Sequence, residues 1–358
     1  MRVLPTLALN CLVLLPSAAP AQQGERYTLD GNEVAIYNLA GALTVEPGTG
    51  PVSVNLTRGG ADAAKLRVEQ GELDGWETLR VVYPATRIVY AGLERGSSTT
   101  LKVREDGTFG GGDWHERQER DERPRGRRVE LSGTGEGLRA HADMSVRMPA
   151  GSQVSLYLAV GKVSIANVNG ELTVDGHSAP ITATGTRGTL VLDVGAGEVH
   201  VTGAEGSLTV DTGSGSVEIS GFSGSELNVD TGSGGVIGSG LKASEVRIDT
   251  GSGDIELTAV TAPVVSLDTG SGSVGAELRE SVRELSVQTG SGDVSVRAPA
   301  SLAAEVDLET ASGGIETDFP VQVTRHSRDH VVGQIGAGTG RVAIETGSGD
   351  VRLLKSSN

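Results

Sequence analysis

The chain of 358 residues carries 46 acidic residues against 30 Lys and Arg, which gives a formal net charge of −16. This balance lacks the clustered cations that neutralise nucleic-acid phosphates, so we exclude nucleic acid as a partner. The 53 glycines show no Gly-X-Y period, which excludes a collagen helix and indicates many tight turns.

Residues 1–21 have the features of a secretory signal peptide. Met1-Arg2 gives a positive start, Val3–Leu15 is mostly apolar, and Ala19-Pro20-Ala21 forms a small-x-small cleavage site. The only cysteine, Cys11, lies in this segment, where lipidation is the alternative to plain cleavage. A mature chain without cysteine would have no disulfides, thiolate metal sites or cysteine nucleophiles. No later stretch reaches about 18 apolar residues, so we expect an exported protein, periplasmic or at the cell surface, without a transmembrane anchor.

Residues 22–150 are predicted to form an irregular β section that caps the rest of the chain. Alternating segments such as Glu33-Val34-Ala35-Ile36 are typical of strands, but their spacing is irregular. The stretch 113–130 is highly charged, with Trp114 as its only large apolar residue, so we expect an exposed loop there. Trp114 is a candidate binding residue of that loop.

Residues 151–358 are dominated by a repeat of about 19 residues. The pentapeptide Asp-Thr-Gly-Ser-Gly recurs unchanged, and related pentapeptides continue the series. The unchanged copies begin at Asp211, Asp230, Asp249 and Asp268, and the related copies at Gln288, Glu309 and Glu345. Self-similarity at a fixed period indicates stacked structural units, so we expect these blocks to lie in consecutive coils.

Within each unit, apolar and polar residues alternate. Val246-Arg247-Ile248-Asp249 precedes one turn and Ile255-Glu256-Leu257 follows it, a pattern typical of short strands with one buried face. One unit cannot bury its apolar face alone, whereas stacked coils form a continuous core. We predict an all-β chain, a single parallel β-solenoid (β-helix) of about ten coils after the irregular N-terminal section. A β-sandwich is the alternative, but it would not show this fixed period.

Three stretches resemble a known family. Met148-Pro149-Ala150-Gly151 leads into a strand, Thr-Gly-Ser-Gly-Asp turns recur, and Gly333–Gly338 is followed by Val342–Thr346. Together they are similar to the bacterial DUF4097 family, also called toastrack and described as "putative adhesins". The likeness covers about residues 145–353. It implies a β-solenoid at the cell envelope and brings no catalytic residues with it.

Asp-Thr-Gly-Ser is also the active-site tetrad of aspartic proteases. Those enzymes need two carboxylates that converge on one water and share a proton. Identical tetrads on successive coils would instead stand in a row. We interpret them as turns in which an Asp oxygen accepts the amide two residues on, while glycine supplies a positive φ angle at the corner.

The same row raises the question of calcium. Asp211, Asp230, Asp249 and Asp268 would stand about 4.8 Å apart, and each neighbouring pair would repel by roughly 0.9 kcal/mol in bulk water. A Ca²⁺ ion between them would relieve this repulsion. However, the nonapeptide of calcium-binding β-helices is absent and Gln288 dilutes the row. We therefore predict no metal and no cofactor, with a calcium ladder as the alternative.

The uniform coils give little support to catalysis. Polysaccharide-acting enzymes use paired carboxylates or a metal on a face with long loops, and few aromatic residues follow residue 151. His326 and His330 interrupt the repeat beside two arginines, which indicates a solvated corner rather than a metal site. We predict a non-catalytic, adhesin-like or structural protein with an envelope or surface partner, protein or glycan. A polysaccharide lyase or hydrolase is the alternative.

Overall fold

The computed structural model describes residues 24–110 and 126–356, which form strands and one short 3-10 helix, Ala63–Lys65, with no α-helix among them. The predicted signal peptide lies outside the described residues. The strands before the repeat are β1 (Glu25–Leu29), β2 (Glu33–Gly48), β3 (Val52–Gly59), β4 (Arg67–Leu73), β5 (Trp76–Val82), β6 (Arg87–Val89), β7 (Ser98–Val103), β8 (Arg127–Ser132) and β9 (His141–Pro149).

The remaining strands come in pairs that follow the repeat. They are β10 (Ser152–Ala166), β11 (Asn169–Ser178), β12 (Ile181–Thr184), β13 (Arg187–Ala196), β14 (Val199–Thr202), β15 (Glu205–Ser214), β16 (Val217–Ser220), β17 (Ser223–Ser233), β18 (Val236–Ser239), β19 (Glu245–Thr250), β20 (Ile255–Val260), β21 (Val264–Thr269), β22 (Val274–Leu278), β23 (Glu284–Thr289), β24 (Val294–Ala298), β25 (Ala304–Thr310), β26 (Ile315–Thr317), β27 (Val321–His326), β28 (His330–Ile335), β29 (Gly340–Thr346) and β30 (Val351–Lys355).

Each coil consists of two strands joined by a tight turn, and neighbouring coils pair in parallel. Leu192 lies beside Val210, and Val199 beside Val217, so equivalent residues of successive repeats stack. These apolar side chains point inward and are fully buried, while the alternate residues point outward. The predicted parallel β-solenoid is therefore confirmed, with its core running along the length of the stack.

The N-terminal section contributes one coil of its own. β2 pairs in parallel with β10 from Glu33 to Val45, so the solenoid includes a segment of the section predicted as irregular. β5 and β9 pair in parallel with the other edge of β2, and β1, β3 and β4 extend this end with antiparallel pairs.

Within this N-terminal section, the buried Tyr83 hydroxyl donates to Asn38 Oδ1 over 2.9 Å, and burial raises the pKa of Tyr83. β6, β8 and β7 form a separate small sheet.

The order of the last coils differs from the prediction of consecutive stacking. β29 lies between β23 and β25, and β30 lies between β24 and β26. The 36-residue interval from Glu309 to Glu345 therefore holds no extra coil. It holds instead the hairpin β27–β28, whose second strand pairs antiparallel with the outer edge of β25. The chain then returns into the gap between the coils of β23–β24 and β25–β26.

Glycines at the turns allow the coils to approach each other. Gly234 has a φ angle of +151°, and a Cβ atom there would lie 2.2 Å from the carbonyl oxygen of Gly215 on the neighbouring coil. Gly215 and Gly253 repeat this geometry against their own neighbours. Because the obstacle is backbone, a side chain at these positions would force the coils apart.

We expect Gly234→Ala to lower the free energy of unfolding by about 3 kcal/mol, because it combines a disfavoured φ angle with a clash against backbone. Gly235→Ala is the matched control, since its Cβ would meet only the Asp254 carbonyl at an ordinary 3.4 Å. Urea unfolding of both variants checks the prediction. Equal midpoints for the two variants would contradict it.

Candidate functional site

Six aspartates stand side by side on one outer face of the solenoid. The parallel register places each one beside the equivalent residue of the next coil. This aspartate ladder consists of Asp175, Asp193, Asp211, Asp230, Asp249 and Asp268, so it includes the four residues named from the sequence and two more at its start. No two of them face each other across a cleft, and a row of this kind does not form the converging pair of an aspartic protease.

At both ends of the ladder a residue other than aspartate takes the next position in the row. Tyr157 lies beside Asp175, and its ring stacks on Tyr37 with centroids 4.3 Å apart. At the other end Gln288 follows Asp268, and Glu345 and Glu309 continue the line in that spatial order. The longest uninterrupted run of carboxylates therefore covers the coils from β11 to β22.

Three carboxylates of the ladder are harder to ionise than a free aspartate. Partial burial, together with the charges of Asp175 and Asp211, raises the pKa of Asp193 to about 6. Partial burial also raises the pKa of Asp230, with further contributions from Asp211 and Asp249, and the pKa of Asp268 is raised in the same way. Like charges one strand apart and reduced hydration both favour the protonated form.

The hydrogen bonds of the turns correct one sequence interpretation. Among the described residues, none of the four aspartates predicted to accept an amide within its own turn accepts any hydrogen bond. The turns are held by neighbouring coils instead, as when the Gly251 amide donates to the Thr231 carbonyl over 2.9 Å. In a stacked coil the turn amides bond to the neighbouring coil, so these four carboxylates accept no amide within their own turns.

A row of buried threonines lies directly behind the aspartate ladder. These residues are Thr212, Thr231, Thr250, Thr269, Thr289, Thr346 and Thr310. Most of their hydroxyls donate to a glycine carbonyl of the adjacent coil, with 3.0 Å from Thr269 to Gly253 and 2.8 Å from Thr310 to Gly349. The hydroxyls of Thr212 and Thr231 have no hydrogen-bond partner. Sequence reasoning overlooked this row, although the invariant Thr of the pentapeptide was its signal.

The other candidate residues do not assemble into a site. Within the described ranges, no group of three or more His, Cys, Asp or Glu could hold a metal ion, so a calcium ladder stays an untested hypothesis. His330 pairs with Asp307 at 2.8 Å, while His326 lies exposed on the neighbouring strand. Trp114 and most of the charged loop lie outside the described residues. Phe222 and Phe319 are buried in the core.

One protein family matches most of the chain. The family model described as Toastrack DUF4097 matches residues 133–354. A crystal structure of a "putative cell adhesion protein" from Clostridium sporogenes shares 10% identity, covers 93% of this chain and 99% of its own, and has a TM-score of 0.19, which is too low to support an argument. No curated protein matches the chain. Over the described ranges, no helix has the length and apolar character needed to cross a bilayer.

We expect the two kinds of buried threonine to respond in opposite directions to valine. Thr269→Val removes a hydrogen bond between coils and should destabilise the protein by about 1 kcal/mol. Thr231→Val removes a buried hydroxyl without a partner and should be neutral or stabilising by up to about 1 kcal/mol. Thermal unfolding of the two variants decides this, and a loss of stability in Thr231→Val equal to that in Thr269→Val would be the contrary result.

We also expect the solenoid to gain stability as the pH falls from 7 towards 5. The folded pKa of Asp193 lies near 6, above its ordinary value of 3.8, so the folded state binds this proton more tightly than the unfolded state. Asp193→Asn should therefore stabilise the protein at pH 7, by about 1 kcal/mol after solvent screening, and flatten the pH dependence. Melting temperatures between pH 5 and 7 test this.

Glu256→Gln, an exposed charge on the second strand of its coil, controls for net charge in that experiment. A pH dependence that is unchanged by Asp193→Asn, or reduced equally by Glu256→Gln, would show that the aspartate ladder is not its source.

Proposed function

The chain belongs to the Toastrack DUF4097 family, and from this premise we propose that it is an exported, non-catalytic β-solenoid that binds a partner at the cell envelope through its outer ladders. Export is supported by the signal-peptide pattern of residues 1–21. The polar outer surface and the regular coils support binding. The proposed partner is a glycan or a protein that presents a polar surface.

The aspartate ladder is the single observation that carries the proposal. It repeats one carboxylate on every coil from β11 to β22, at the strand spacing of about 4.8 Å. Catalysis requires one singular arrangement of groups, whereas a row of equivalent groups suits a ligand that is itself repetitive. Such contacts are individually weak, and they gain strength when many are made at once.

Exposed serines accompany the carboxylates at the turns. Ser214, Ser233, Ser252 and Ser271 stand three residues after the ladder aspartates of their coils and are exposed to solvent. A strip of this kind presents carboxylate acceptors next to hydroxyl groups that both donate and accept. Sugar hydroxyls or polar protein side chains would find complementary partners there. The net charge of −16 disfavours direct binding to anionic lipid.

We expect the protein without residues 1–21 to be retained by bacterial envelope fractions or by members of a glycan array. Asp211→Asn, Asp230→Asn and Asp249→Asn combined should reduce this retention about tenfold or more, since three adjacent acceptors are altered. Retention is measured by immunoblot of the fractions and by fluorescence on the array.

The matched control combines Glu198→Gln, Glu218→Gln and Glu256→Gln, which remove the same charge from exposed sites beside or on the second strands of the coils. It should leave retention within about twofold of the parent protein. Unfolding curves establish that both triple variants are folded. Absence of any retained glycan, cell or envelope component, or equal losses in the two triple variants, would refute the proposed binding surface.

A further inference from the structure

The coil of residues 340–355, here called the inserted coil, occupies a slot between two coils that precede it in the sequence. One wall of the slot is β23–β24 and the other is β25–β26, and the inserted coil pairs in parallel with both. Leu285, Val342 and Val306 stand in register across the three coils. The inserted coil is thus held on both sides by parallel ladders of backbone hydrogen bonds.

Side chains secure the inserted coil to both walls. Arg352 lies 3.5 Å from Asp293 on one side and 3.7 Å from Glu316 on the other. Asp350 has a similar double role, because its amide donates to Asp293 over 2.9 Å and its carboxylate accepts the Gly314 amide over 2.9 Å. These contacts specify the sequence and register of whatever occupies the slot.

The inserted coil is reached by the chain in a different way from the coils in the middle of the solenoid. From β11 to β22, each coil lies between the coils that precede and follow it along the chain. The inserted coil is joined to β28 through residues 336–339, and β28 pairs with β25 rather than with the inserted coil. The Asp350 contacts to the two walls span 57 and 36 residues, whereas side-chain hydrogen bonds between consecutive coils span 16 to 20, so the inserted coil closes longer loops than its neighbours do.

An open slot would present two unpaired strand edges that fit one particular sequence. Unpaired edges recruit matching strands, and an identical element from a second molecule matches as well as the molecule's own. The connection 336–339 contains Gly336 and Gly338, with φ angles of +57° and +62°, in a short turn whose opening would redirect the coil outward. The second copy is therefore the occupant with the right chemistry.

We propose that the slot between β23–β24 and β25–β26 is an exchange site, at which two copies of this chain insert their 340–355 coils into each other. The product is a reciprocal dimer in which every contact of the inserted coil is kept and only residues 336–339 change course. The walls, the register and the bridging role of Arg352 are the same in the monomer and in the dimer.

Disulfide trapping between full-length chains tests the exchange. Ser286 and Ala343 are partners in the β23–β29 register and point outward. In a Cys11→Ser background, chains with Ser286→Cys are mixed with differently tagged chains with Ala343→Cys, held just below the unfolding midpoint in urea, returned to buffer and oxidised. A disulfide between the two tags forms only when the coil of one copy enters the slot of the other.

The matched control mixes chains with Ser266→Cys and Ser286→Cys, which are partners between β21 and β23 in coils that follow each other along the chain. We expect the first mixture to yield at least tenfold more mixed-tag dimer than the control. The double variant Ser286→Cys/Ala343→Cys should form its disulfide within one chain in the absence of urea and should then no longer exchange.

Two outcomes would overturn the proposal. One is a first mixture with no more mixed-tag dimer than the control, although the double variant closes its internal disulfide. The other is failure of the double variant to close that disulfide, because the inserted coil would then not occupy the slot in solution.

Discussion

Close approach of backbone to backbone at the turns is the constraint on which the rest of this structure depends. At Gly234 a Cβ atom would lie 2.2 Å from the carbonyl oxygen of Gly215 on the preceding coil, so the close stacking of these turns fits glycine and not a side chain. Once the turns stack, the strands that leave them are in register. That register lines up the buried valines and leucines, the threonine hydroxyls and the aspartates at the same time.

The register also explains why a costly row of charges persists. Asp230 cannot move away from Asp211 and Asp249 without breaking the ladders that bury Val229. The protein therefore stabilises its core and tolerates repulsion on its surface, and the pKa of Asp230 is raised by partial burial and by these two neighbouring charges.

Much of this could be predicted from the sequence, because repeat period and alternation are properties of single residues in order. The coils, the inward face and the row from Asp211 to Asp268 follow from these patterns. The insertion of β29–β30 could not be predicted. Glu309 and Glu345 begin equivalent repeats, and the repeat pattern does not determine which of the two stacks on Gln288. The role of β2 was hidden for a related reason: its partner β10 lies more than a hundred residues away.

The hydrogen bonds of the turns could not be predicted because an Asp side chain and a neighbouring coil compete for the same amides, and only the packed structure decides between them.

The antiparallel hairpin β27–β28 at one end and the strands around β5 and β9 at the other leave the coils from β11 to β22 as the uniform middle of the rod. Each middle coil touches only two near-identical neighbours, so gaining or losing one would alter the rod's length by about 4.8 Å and leave both ends intact. Relatives of different length are thus compatible with one shared pair of end structures.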